Sequence, residues 1–216
     1  MMLTRCQTRA IGITLVSALV NCALLSNPLG ATTIFRMDIE EVVRGAELIF
    51  EGKVVERNVR ENAAGMILTY VTFRIDELIK GEFEEPFLEL KFTGGRLGDQ
   101  IMEVSGLRMP NPDEEGIYFV ESVYRNLVNP LLGWSQGHYL IYEINGKRRV
   151  RTVSERPVTD ILSIQSVPTV LRRPATLIDG NTDAATGVVA PSQALGLDQA
   201  LSAESFKTKI RALMDD

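Results

Sequence analysis

The chain has 216 residues, of which 45% are hydrophobic, 24% charged and 6% aromatic, with a formal net charge of −5 and a single histidine. This is the composition of a globular protein long enough for one domain with a real core. The acidic balance argues against nucleic acid as a partner, and one His with two Cys leaves few donors for zinc or a transition metal.

Residues 1–31 read as a cleavable export signal. Arg5 and Arg9 make a positive start, and 10–25 is apolar apart from Thr14, Ser17 and Asn21. Pro28-Leu29-Gly30-Ala31 then supplies a turn and small residues for cleavage. A retained anchor is the alternative, but the run is short for a hydrocarbon core of about 30 Å, and Asn21 interrupts it. Leu19-Val20-Asn21-Cys22 offers another alternative, a lipoprotein acylated at Cys22, although Asn21 stands where a small residue is wanted. Cleavage near Ala31 removes both Cys6 and Cys22, so the mature chain enters an oxidising compartment without a disulfide. Its net charge becomes −7, the −5 of the whole chain less the two positive charges of Arg5 and Arg9. The expected location is periplasmic or secreted, with no membrane span after cleavage.

Beyond the signal, 34–46 reads as a short helix with Asp38 as cap, Glu41 as capping-box partner, and Ile39, Val42 and Val43 on one face. A long strand is expected over 48–59, bent or bulged at Gly52. The chain returns over 66–78, where Tyr70, Thr72 and Arg74 alternate with Val71, Phe73 and Ile75. Shorter strands follow over 87–92, 101–104 and 117–123, with Gly94, Gly95 and Gly98 reversing the chain and 108–116 reading as a solvated loop. Asn145-Gly146-Lys147 between 139–144 and 148–153 signals a tight hairpin. Residues 154–196, with prolines at 157, 168, 174 and 191, read as an extended or disordered linker. Residues 197–216 carry a C-terminal helix starting at Ser202, with Phe206, Ile210 and Leu213 on one face.

Strands with no helices between them exclude an alternating parallel α/β sheet. The expected fold is mainly β: a small antiparallel OB-like barrel over 32–153, partly open, with a short N-terminal helix and a C-terminal helix. A flat sandwich is the alternative. The stretch Glu47-Leu48-Ile49-Phe50-Glu51-Gly52-Lys53-Val54-Val55, followed by Thr69-Tyr70-Val71-Thr72-Phe73-Arg74-Ile75 and Leu78-Ile79-Lys80-Gly81, resembles the opening of the netrin-like, tissue-inhibitor-of-metalloproteinases type of domain. With Gly94-Gly95 and Gly133-Trp134-Ser135-Gln136-Gly137 it is also similar to a looser group of secreted bacterial proteins. The resemblance spans about 38–144 and implies an oligonucleotide/oligosaccharide-binding type of barrel in an extracytoplasmic setting. It does not imply direct inhibition of a metalloprotease, because that family chelates the zinc through an N-terminal Cys and no Cys follows Cys22.

Four features invite a chemical reading. His138, beside Ser135, suggests a hydrolase triad, but no nucleophile-elbow pattern surrounds the serine. Gly94-Gly95-Arg96-Leu97-Gly98 suggests a phosphate loop, yet a strand rather than a helix follows and no Lys is present, so a chain reversal is expected. Asp113-Glu114-Glu115 and Glu82, Glu84 and Glu85 are acidic clusters without EF-hand spacing and read as solvated charge. Trp134 with Tyr118, Tyr124, Tyr139 and Tyr142 suggests an aromatic platform, so Trp134, Gln136, His138 and Tyr139 are the expected binding residues; the alternative is that Trp134 plugs one end of the barrel. The sequence therefore points to an exported, non-enzymatic module with no cofactor or metal, binding a protein or an envelope component. The alternatives are a secreted hydrolase using Ser135 and His138 and, by family resemblance alone, a protease-associated accessory protein or inhibitor.

Overall fold

The computed structural model describes residues 33–163, 177–179, 183–191 and 197–214. The described residues begin with strand β1 (Thr33–Phe35) and helix α1 (Ile39–Gly45). The helix starts where its cap predicts: the Asp38 N–H donates to the Glu41 carboxylate at 3.0 Å, and Ile39, Val42 and Val43 are buried. Its expected first turn is instead β1, because Thr33, Ile34 and Phe35 pair antiparallel with Asp179, Ile178 and Leu177. The far end of α1 is closed by a distant side chain. The Lys80 ammonium donates to the carbonyls of Val43, Arg44 and Ala46 at 2.7, 2.9 and 2.6 Å, satisfying acceptors that a helix end leaves open. Gly81 follows at φ 86°, where a Cβ would stand 2.5 Å from the Glu47 carbonyl oxygen. The Lys80-Gly81 pair is thus a helix cap and a close turn.

Strands β2 (Leu48–Glu61) and β3 (Ile67–Lys80) form the long hairpin the alternation predicts. They are followed by β4 (Phe87–Thr93), the small hairpin β5 (Gly95–Leu97) and β6 (Gln100–Met102), then β7 (Glu115–Val120), β8 (His138–Ile144) and β9 (Lys147–Thr152). Six of these make one antiparallel sheet in the order β4-β3-β2-β7-β8-β9. Strand β2 pairs with β3 along its length but with β7 only over Leu48–Lys53. Its register shifts at Ile49/Phe50, Glu51/Gly52 and Val54/Glu56, so the expected distortion at Gly52 is one of three. A Cβ at Gly52 would stand 2.5 Å from the Arg74 carbonyl oxygen. Asn145 and Gly146 both have positive φ, 52° and 70°, as the two-residue turn between β8 and β9 requires.

Among the described residues no strand pairing closes this sheet into a barrel; β4 and β9 are its edges. The irregular segment 121–132 runs along β4 instead. The Thr93 N–H donates to the Val128 carbonyl at 2.9 Å, and Lys91 donates to the Asn126 side chain. The segment is tied back to β7 by Leu132 N–H to the Phe119 carbonyl at 2.8 Å.

Both faces of the sheet are apolar. Phe50, Phe73, Phe92 and Tyr118 fill one, with Phe73 and Tyr118 in edge contact at 4.7 Å. Ile49, Phe119, Tyr139 and Val150 fill the other, together with α1 and helix α2 (Ala203–Ala212). The segment expected to be a linker joins this second core where it is described. Val158 and Ile161 are buried, the Val158 N–H donates to the Val150 carbonyl at 3.0 Å, and β10 (Asp160–Ile161) pairs with β12 (Val188–Val189). Strand β11 (Leu177–Asp179) is the partner of β1. The rest of 154–196 and the export signal lie outside the described residues. No helix among the described residues is long and apolar enough to cross a membrane.

Helix α2 begins at Ser202, whose hydroxyl accepts from the Ser205 N–H at 3.0 Å. Phe206 and Ile210 are fully buried, and so is Lys207, only 1% exposed. Its ammonium lies 2.8 Å from Glu51 and 2.6 Å from Glu204 and also contacts Glu77, while Arg148 reaches Glu51 at 2.7 Å and Arg211 pairs with Glu77. Burial opposes the charge on Lys207, but bonds to Glu204, Glu51 and Glu77 outweigh it and raise its pKa above the ordinary lysine value. Replacing Lys207 by Ala leaves Glu51 buried beside Arg148 alone. We expect a loss of about 3 kcal/mol, measured by urea unfolding, at the low end for a broken buried pair because Arg148 remains.

Candidate functional site

Glu114 precedes β7 and extends its ladder: the Val54 N–H donates to the Glu114 carbonyl at 2.9 Å, and the Asp113 N–H donates to the Val54 carbonyl at 3.1 Å. Alternation then sets Glu114, Gly116 and Tyr118 on one face. Tyr118 is paired across the ladder with His138, and their rings lie 5.0 Å apart. The Glu114 carboxylate therefore meets the imidazole, His138 Nε2 donating to Glu114 Oε1 at 2.7 Å. Arg108 forks onto the same carboxylate, Nη2 at 2.8 Å and Nη1 at 3.3 Å. With Nε2 as the donor, Nδ1 is an acceptor, buried and without a hydrogen-bond partner.

Burial pushes His138 below its ordinary pKa, against the pull of Glu114, so the ring is held neutral. Burial also opposes the Glu114 charge, but His138 and Arg108 overcome it and bring the carboxyl down to about 2. The stretch 108–116, expected to be solvated, is thus anchored in the core through Glu114. The neighbouring acids diverge, Asp113 to Lys53 at 3.4 Å and Glu115 to Arg148 at 3.6 Å, so the trio is no calcium loop.

Arg108 also lines a cavity of about 560 Å³ between the β5–β6 hairpin, the loop at 103–111 and Arg57 of β2. The hairpin is pressed onto the β2–β3 ribbon. The Gly94 carbonyl accepts from the Thr69 hydroxyl at 2.6 Å, and a Cβ at Gly95 would stand 2.4 Å from that oxygen. This places the exposed Arg96 in the lining. Arg57 donates to the Met109 sulfur at 3.4 Å. Among the described residues neither Arg57 nor Arg96 forms an ion pair, and Glu103 is the only carboxylate in the lining. Ile101, 52% exposed, with Met102, Leu107 and Met109, gives the cavity an apolar part.

The expected binding residues do not share one ligand-facing surface. Gln136 is fully buried and serves the N-terminal segment: its amide nitrogen donates to the Phe35 carbonyl at 2.9 Å, and its oxygen accepts from the Met37 N–H at 2.8 Å. Tyr139 is fully buried on the opposite face, 4.9 Å from the Phe206 ring. His138 is held as described, and Trp134, partly exposed at φ 59°, begins the 3₁₀ turn Trp134–Gly137. The aromatic platform is divided in the same way, with Tyr118 buried and Tyr124 87% exposed. For the hydrolase reading, an acid does meet the imidazole, but Ser135 is buried and among the described residues no hydroxyl bonds the remaining ring nitrogen. The glycine stretch 94–98 is the expected reversal, a β-hairpin with no helix behind it. Arg57, Arg96 and Arg108 lie in three separate sequence contexts, and the sequence contained no local signal for their meeting.

Comparisons with protein-family models, curated proteins and solved structures give no match to the chain.

The His138–Glu114 pair makes stability depend on pH. Both folded pKa values lie below their unfolded ones, so the native state binds fewer protons and the pair's stabilisation is present at neutral pH. It falls as pH drops below about 6.5 through His138, and again below about 4.5 as Glu114 takes up its proton. Urea unfolding from pH 8 to pH 4 should show this loss, and His138→Gln should remove the part nearest pH 6.

Proposed function

We propose that the protein is an exported, non-enzymatic binding module that takes its ligand in the cavity beside the β5–β6 hairpin. The observation that carries this reading is the lining itself: Arg57 and Arg96 have no ion-pair partner among the described residues, next to an exposed apolar wall. The volume of about 560 Å³ is in the range of small-ligand sites. Export is supported by the charged, apolar and small-residue segments of 1–31. The ligand belongs to a protein or an envelope component of that compartment.

A partly open barrel of the OB type is proposed as the scaffold. Support comes from the strand order β4-β3-β2-β7-β8 within the sheet, from segment 121–132, which bonds to both β4 and β7, and from the netrin-like resemblance of 38–144. In that reading 121–132 fills the seam that strand pairing closes elsewhere.

Two measurements test these points. In a fragment screen followed by amide NMR, perturbations should gather at residues 57, 95–96 and 101–111; perturbations gathered around Trp134 instead would overturn the assignment. The mass of the exported chain should correspond to a start near Thr32, whereas a chain starting at an acylated Cys22 would make it a lipoprotein.

A further inference from the structure

Resting on the cavity as the binding site, we infer that its ligand is a monoanionic carboxylate on an apolar chain. The charges in the lining decide the anion. Arg108 is neutralised by Glu114, which leaves Arg57 and Arg96 against Glu103, one positive charge in excess. These two guanidiniums, without ion-pair partners among the described residues, line one concavity, and an anion bound there is attracted to both. A single excess charge suits one carboxylate; a phosphate dianion would overfill it and face Glu103. The guanidinium fork matches the two oxygens of a carboxylate.

The rest of the lining decides what the carboxylate is attached to. Beside Ser105 and Asn111, Ile101, exposed on the β6 strand, and the side chains of Met102, Leu107 and Met109 form a wall without a hydrogen-bond donor. Thioethers adapt to chains of different shape, and the Met109 sulfur already bonds Arg57, so polar and apolar parts of the site adjoin. A short acyl carboxylate and an acidic peptide residue beside an apolar one share this chemistry.

The test is calorimetric titration of the purified full chain with hexanoate, acetate, hexanamide, inorganic phosphate and N-acetyl-Leu-Glu-amide, with amide NMR to place any binding. Each buried methylene multiplies affinity about fourfold, so hexanoate should exceed acetate by at least about tenfold even when part of the chain stays wet. It should also exceed hexanamide by about tenfold, and Arg96→Gln, on an exposed hairpin position, should abolish that second margin while leaving the unfolding midpoint unchanged. Tighter binding of the dipeptide than of hexanoate assigns the carboxylate to a peptide, and the reverse order assigns it to an acyl chain; both support the inference. Phosphate binding as tightly as hexanoate, or hexanoate binding unchanged in Arg96→Gln, overturns it. Hexanamide and hexanoate binding equally, with perturbations confined to the cavity, overturns the carboxylate and leaves the cavity as the binding site. No perturbation at the cavity with any probe removes both.

Discussion

The structure depends on the first half of β2, Leu48 to Val54, which is wet on neither face. In β2, Leu48, Phe50 and Val54 enter one core and Ile49 the other, and β7 repeats the division with Tyr118 and Phe119. A sheet apolar on both sides must be covered twice. Helices α1 and α2 cover one side. The other is filled by side chains of β3 and β4 and by Leu131 of the irregular 121–132 segment.

Glu51 turns that constraint into a demand on the chain's end. It lies on β2 between Phe50 and Gly52, only 3% exposed, where an unpaired carboxylate is costly. Its partners are Lys207 of α2 and Arg148 of β9, so the C-terminal helix returns to the sheet with a buried ammonium among its apolar residues. Glu51, Glu77 and Glu204 converge closely enough to hold a cation, and the Lys207 ammonium is that cation. The apolar contacts of Phe206 and Ile210 supply the burial, while the charges specify which face of the helix turns inward.

The opposite face has a smaller version of the same device. Glu114 is drawn in by His138 and Arg108, and this bends the loop at 103–114 so that Arg108, Met109 and Asn111 face the β5–β6 hairpin. The imidazole therefore helps shape the cavity wall, through Glu114 and Arg108. Because Glu114 neutralises Arg108, the remaining guanidiniums, Arg57 and Arg96, set the character of the cavity.

Much of the architecture was legible locally. The period-two alternation of 66–78, Asn145-Gly146 and the Asp38/Glu41 cap each act over a few residues, and the hairpins and α1 stand where these signals put them. Sequence alone determined the β class, the two helices and the pairing of neighbours, since backbone preference and face alternation are properties of the segment itself. It did not determine that Val158 and Ile161 enter the core, that Gln136 holds Phe35 and Met37, or that Arg57, Arg96 and Arg108 line one cavity. Those contacts join residues far apart in the chain, and their partners are chosen by which faces must be covered and which buried charges must be paired. Only the tertiary structure carries that choice, because burial is a property of the assembled sheet and not of any one strand.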